Sequence, residues 1–235
     1  MKRLLVFAAL LFAFALHAQQ PSDQQQNPLM PTVTFDRLWE ASTPQDFTIS
    51  VQSSGSARYR SRNPTAPSPP PQSGIDNARL DPDYSLEFTM SPATRDRIFK
   101  LAQQANYFNG NFEFKKPVAN TGTKTLTYAD QARHFQTSYN WSTDKAIDEL
   151  THIFQGISNT VEHGRKLQFL RRYDKLGLDT ELKYMEEESE NHGMAEMELI
   201  APILQKLADD PAVLHIAQQR ARHLLKQASA GAGNR

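Results

Sequence analysis

Apolar and polar residues alternate with a period of two in five short stretches of this chain, and apolar residues recur every three to four positions through most of the remainder. In 47–52, Phe47, Ile49 and Val51 share one side while Thr48, Ser50 and Gln52 share the other. After the turn Ser53-Ser54-Gly55-Ser56, Tyr59 opposes Arg58, Arg60 and Arg62. In 85–90, Leu86, Phe88 and Met90 oppose Ser85, Glu87 and Thr89. Leu126 and Tyr128 oppose Thr123, Thr125 and Thr127, and Phe135, Thr137 and Tyr139 oppose His134, Gln136 and Ser138. Successive side chains of a strand point to opposite faces, so each run is a strand with one greasy and one polar side. About five such strands predict an antiparallel sheet covered on one face and wet on the other.

The covering elements are legible as well. Ser91 is a good N-cap and Pro92 suits the first helical position; Ile98, Leu101, Ala102 and Ala105 then repeat at helical spacing. Ser142 is expected to cap a second helix whose stripe is Ile147, Leu150, Phe154, Ile157 and Val161. Two helices packed on the apolar face of the sheet make a two-layer α+β domain over 33–164, in the order hairpin, strand, helix, hairpin, helix. Past it the character changes: the last tryptophan is Trp141 and the last phenylalanine Phe169, and the apolar positions become Leu, Ile, Met and Ala at helical spacing. This predicts a C-terminal helical appendage over 165–228, with helices at 167–175, 180–190, 194–208 and 212–227. Pro202 either kinks or begins the third of these, Asp210-Pro211 starts the last, and 229–235 is a frayed tail.

The two ends of the domain are bounded by composition. Lys2 and Arg3 precede thirteen apolar residues from Leu4 to Leu16, followed by His17-Ala18, the order of a signal peptide at 1–18. The run is shorter than the ~20 residues of a membrane span, so cleavage after Ala18 is expected, an uncleaved anchor being the alternative. The expectation is therefore an exported protein, periplasmic or extracellular. Residues 19–32, rich in Gln and Pro, form a flexible lead-in, and 63–74, with prolines at 64, 67, 69, 70 and 71, an exposed proline-rich loop.

The segments SPATRDRIFKLAQQANYFNG and TKTLTYADQARHFQTSYNWS, with the helix that follows, resemble a family of small secreted bacterial α+β domains of unknown function, over about 46–163. The proline-rich insertion and the helical tail depart from that pattern. Since the family has no assigned activity, the resemblance implies no catalytic residue.

Charge and motifs narrow the chemistry. The chain has 235 residues with 26 basic and 26 acidic side chains, which supplies no basic field for nucleic acid. It has no cysteine, which removes disulfides, thiolate metal sites and thiol nucleophiles. Glu149-Leu150-Thr151-His152 matches Glu-x-x-His without the second copy a di-metal bundle needs, and Glu188 with His192 reads as a solvated face. Neither a Gly-x-Ser-x-Gly elbow nor a phosphate-binding glycine loop occurs, and Asp81-Pro82-Asp83 reads as a turn. The sequence thus assigns no catalytic residue, metal or cofactor. Its best binding candidate is the polar sheet face. Arg58, Arg60 and Arg62 stand there about 7 Å apart, and His134 and Gln136 belong to the same face. Such a face suits an acidic polymer, a lipid head group or a protein; alternatively its charges only keep the sheet from pairing with others. The reading is a non-enzymatic binding or interaction module, with an envelope protein or a second copy docking on the C-terminal helices. An enzyme without a sequence signature and a purely structural envelope protein are the alternatives.

Overall fold

One run of strand pattern stands apart from the five. Thr32–Leu38 (TVTFDRL) turns Val33 and Phe35 to one side but places Arg37 at the third position of that side, so its alternation ends early. It is β1, and the computed structural model, which describes residues 30–63 and 80–233, puts it near the middle of the sheet. The others are β2 (Asp46–Gln52), β3 (Ser56–Arg62), β4 (Asp83–Thr89), β5 (Thr123–Ala129) and β6 (His134–Tyr139). The sheet has six strands, not about five, in the order β4-β3-β2-β1-β5-β6, all neighbours antiparallel. The lead-in gives way to β1 at Thr32. The signal peptide, nearly all of the lead-in, the proline-rich loop from residue 64 and the last two residues lie outside the described residues.

The expected division of faces holds. Val33, Phe35, Phe47, Ile49, Val51, Tyr59 and Leu126 are buried on the inner face, while alternate residues are half-buried or exposed. Helix α1 (Pro92–Gln104) contributes Ile98, Leu101 and Ala102, and α2 (Lys145–Tyr173) contributes Ile147, Leu150, Phe154, Ile157 and Val161. The Phe154 ring stacks on Phe35 at 5.1 Å between centroids. Ser91 caps α1 as expected. The cap of α2, however, is Asp144, whose Oδ1 accepts from the backbone N–H of Ala146 (2.9 Å) and Ile147 (3.0 Å). Ser142 instead accepts from the Asp144 N–H at 3.2 Å, one step outside the helix.

The helices of the C-terminal part also differ from their expected bounds. α2 is one helix of 29 residues, unbroken across residue 164, so the separate helix expected at 167–175 is its second half. Its spacing carries the apolar stripe from the sheet into a second core, where Leu167 and Leu170 meet α3 (Gly177–Glu190), α4 (Ala201–Asp209) and α5 (His215–Gly233). Pro202 begins α4, as its missing N–H allows in a first turn. α4 and α5 pack as a hairpin through Leu204, Leu207, Ala217, Ala221 and Leu224. Asp210 makes a turn by accepting from Ala212 N–H at 3.0 Å, which delays α5 to His215, and α5 then continues to Gly233 where fraying was expected.

The two cores are tied by polar contacts that the sequence does not announce. Glu196, 3% exposed and left-handed (φ 54), accepts from the Ser91 N–H (2.9 Å) and hydroxyl (2.6 Å) at the start of α1. On α2, His163 and Lys166 both contact Glu181 of α3, at 2.7 and 2.5 Å. Gly164 lets Ile200 approach α2 so closely that a Cβ there would lie 2.4 Å from Ile200 Cγ2. Gly164→Val is therefore expected to cost about 1–3 kcal/mol through overpacking. Urea unfolding checks this, with the midpoint lowered and the slope unchanged.

Candidate anion-binding site

The sheet register decides where the polar-face residues stand. Arg58, Arg60 and Arg62 are exposed on the outer face of β3. Arg58 pairs with Glu87 of β4 and Arg62 with Asp46 of β2, its Nε donating at 3.0 Å. Arg60, between them, has no ion pair or hydrogen bond among the described residues. Arg58 lies in one cross-strand row with Ser50, Thr34, Thr127 and Gln136. Gln136 is nonetheless four strand spacings from Arg58, about 19 Å. His134 shares the outer face of β6 with Gln136, two residues nearer its start. All five residues are thus on one face, but the arginine row and the His134–Gln136 pair occupy opposite ends of it. Hydroxyls fill the space between and bond to each other and to Asp36: Thr34 with Ser50 at 3.1 Å, Thr125 with Ser138 at 2.9 Å, and Thr48 to Asp36 at 2.6 Å.

The motifs weighed for chemistry are taken up locally. Glu149 is paired with Arg97 of α1. Asp81 Oδ1 accepts from the Asp83 N–H at 3.0 Å, which is a turn. Among the described residues no three His, Asp or Glu side chains converge in a way that could hold a metal ion.

A more demanding arrangement lies on the other face. Arg37 of β1 faces inward, directly across from Phe47 on β2 and from Lys124 on β5, and Lys124 faces Tyr139 on β6. One end of the greasy face therefore carries two adjacent cations, and like charges directly opposite in a sheet repel. They form the floor of a cleft of about 260 Å³ walled by Trp39 and Trp141, with Asp148, His152 and Gln155 of α2 at its rim.

The two cations are held differently. Lys124 is 4% exposed, and its Nζ donates to the Asn140 carbonyl (2.7 Å), Thr121 Oγ1 (2.9 Å) and the Gly122 carbonyl (3.3 Å). Its three protons are spent on the loop that closes the cleft. Gly122 makes that loop possible: at φ +88 a Cβ would stand 2.4 Å from Trp39 Cβ. Burial pushes the Lys124 pKa down to about 8, helped by the charge of Arg37 and opposed by that of Glu113. Arg37 has no such cage. Its guanidinium lies over the rings of Trp39 (5.0 Å) and Phe47 (5.8 Å), and its Nε is buried without a hydrogen-bond partner. No carboxylate pairs with it among the described residues, and burial lowers its pKa. Arg37 thus lines the cleft with a guanidinium that has no protein hydrogen-bond acceptor among the described residues.

Beside the two cations the cleft holds no free acid–base pair among the described residues. Tyr139 is already bonded to Thr151 at 2.6 Å, and burial raises its pKa further. The rim pair His152 and Asp148 is 3.7 Å apart, beyond hydrogen-bond range, and His152 is 74% exposed on its side chain. The polar face drew the sequence-based expectation away from this site. The signal for it was parity: Lys124 falls on the same side as Leu126 and Tyr128, and Arg37 on the side of Val33 and Phe35. No protein-family model matches the chain, and no curated protein matches it significantly.

The site predicts its own pH signature. Lys124 is neutral above about 8 in the folded protein, whereas an unfolded lysine keeps its proton to about 10.5. Over that interval the unfolded chain binds more protons, so stability rises with pH. The difference in urea midpoint between wild type and Lys124→Met should therefore grow in favour of wild type from pH 8 to 10, and stay constant from pH 6 to 7.

Proposed function

We propose that this protein is an exported, non-enzymatic binding module that holds a small anionic ligand in the Arg37–Lys124 cleft. The observation that carries the reading is the Arg37 guanidinium, partly desolvated and stacked on Trp39 yet without a protein acceptor. Removing a cation from water costs several kcal/mol unless a partner replaces the lost hydration. A carboxylate or phosphate oxygen is the partner that a guanidinium fork fits best. Lys124, too enclosed to reach the ligand, supports it as a second charge behind the first. The two indoles favour an anion carried on a flat ring, and the volume limits it to a small one. The signal-peptide pattern at 1–18 supports export, as does the resemblance of 46–163 to secreted bacterial domains. Among the described residues no helix is long and apolar enough to cross a membrane. The cleft offers no nucleophile bonded to a base, which favours binding over catalysis.

The test is titration of benzoate, acetate and inorganic phosphate into the full chain, followed by tryptophan fluorescence and calorimetry. Benzoate is expected to bind tightest. Arg37→Met should weaken it roughly ten- to hundredfold, the worth of a charged hydrogen bond of about 1.5–3 kcal/mol, with Arg37→Lys in between. Affinity should also fall as pH rises through about 8, where Lys124 loses its charge. Equal affinity for wild type and Arg37→Met would sink the proposal.

A separate observation favours a protein contact at the far end of the helices. Tyr173 at the end of α2, Leu176 just past it, and Leu214 and Ile216 around the start of α5 are large apolar side chains left exposed, Leu176 by 74%. Asp210 brings those two ends together by pairing with Arg171 (3.2 Å) and Lys175 (3.7 Å). Clustered exposed apolar residues mark association surfaces. Self-association through this tip would show in sedimentation as a concentration-dependent dimer that Leu176→Glu with Ile216→Glu abolishes.

A further inference from the structure

The edge strand β4 is the least covered part of the inner face. Its inward residues Tyr84, Leu86 and Phe88 are only half-buried, whereas their neighbours on β3, Ala57, Tyr59 and Ser61, are buried. α2 reaches β4 mainly through Arg165, which donates to the Asp81 carbonyl, stacks on the Tyr84 ring at 4.8 Å and pairs with Glu162 at 3.3 Å. Beyond that strut a groove of about 490 Å³ opens between β4, the second half of α2 and the start of α4. Its floor is apolar, with Leu86, Val161 and Ile203.

The rim is basic. Arg172 and Lys206 line the groove, are exposed, and have no carboxylate partner among the described residues. Arg171, beside them, spends one Nη on Asp210 and leaves its Nε buried without a partner. Among the described residues no aspartate or glutamate lines this groove. On its other side β4 pairs with nothing among the described residues, so half of its backbone N–H and C=O groups point away from the sheet. The outer face of β4 is acidic at Asp83 and Glu87, the reverse of the groove side.

We propose that this groove docks an extended acidic peptide segment, which adds a strand along the edge of β4 left unpaired among the described residues and turns alternate carboxylates to Arg172 and Lys206. The free backbone edge supplies the affinity common to strand addition, and the charges select the sequence. Because side chains of a strand alternate, the segment carries acids at every second position on the groove side. The positions between them are neutral or basic, since they face Asp83 and Glu87. An anionic amphiphile would satisfy the cations and the apolar floor but would make no use of the open edge.

The experiment uses the full chain and a fluorescent peptide alternating glutamate with valine, read by anisotropy at low and moderate salt. Its companions are the same peptide N-methylated at alternate residues, a lysine–valine counterpart, and dodecyl phosphate as competitor. The expected result is saturable binding of the glutamate peptide alone, weakened at least tenfold by N-methylation and by Arg172→Glu with Lys206→Glu. Both substituted residues are exposed, and an unchanged thermal midpoint would show that the variant is folded. Arg37→Met should bind the peptide as wild type does, which separates this site from the anion cleft. Equal binding of the N-methylated peptide would overturn strand addition, and equal binding by the charge-reversed variant would overturn the role of the cations. Dodecyl phosphate bound in the groove with no peptide binding would overturn the choice of a peptide.

Discussion

Everything else in this molecule depends on α2 keeping one apolar stripe over 29 residues. At 1.5 Å per residue it is about 43 Å long, more than the width of the layer it roofs. Its first half buries Ile147, Leu150, Phe154 and Ile157 on the sheet, where Phe154 stacks on Phe35 of the central strand. Its second half buries Leu167 and Leu170 among α3, α4 and α5. Each fully buried side chain of that kind contributes about 1.5–3 kcal/mol, and a continuous helix passes the constraint from one core to the other. The gaps it leaves are as consequential as the contacts. The Arg37–Lys124 cleft lies beside its first turns, and the basic groove lies where it fails to cover β4.

The inner face of the sheet breaks its apolar order at two adjacent cations and compensates them unequally. Lys124 is surrounded by three carbonyls and a hydroxyl, so its desolvation is largely offset inside the protein. Arg37, its cross-strand neighbour, is offset only by ring contacts. This asymmetry is what distinguishes the caged Lys124 from Arg37, on which the proposed binding role rests. On the outer face the balance of charge is different: Arg58 and Arg62 are neutralised by adjacent strands, and the field there is correspondingly weaker.

Much of the sheet was legible because alternation is a direct record of which side meets the core. β2 to β6 each carry an inward set rich in apolar residues, and each forms where that set predicts. β1 carries no complete alternation because Arg37 stands where a third apolar residue would have finished the pattern, and that same residue is the heart of the candidate site. The cap of α2 shifted from Ser142 to Asp144 for a similar reason: two good capping residues stand two apart, and only the path of the chain after β6 selects between them. Helix bounds past 164 depended on which leucines meet across helices, and helical spacing alone does not say that.

By itself the sequence determined the class of the fold, because period-two and period-three-to-four patterns are local and each residue carries its own share of them. It also determined that thiol chemistry is closed to this protein, since that requires only a count. Strand order, the crossing of α2 between two cores, and the meeting of Arg37 with Lys124 were decided by tertiary structure alone. Those residues lie 87 positions apart in the chain. Their adjacency follows from the pairing of β1 with β5, which depends on the whole sheet folding to one register, and no local pattern of either strand encodes it.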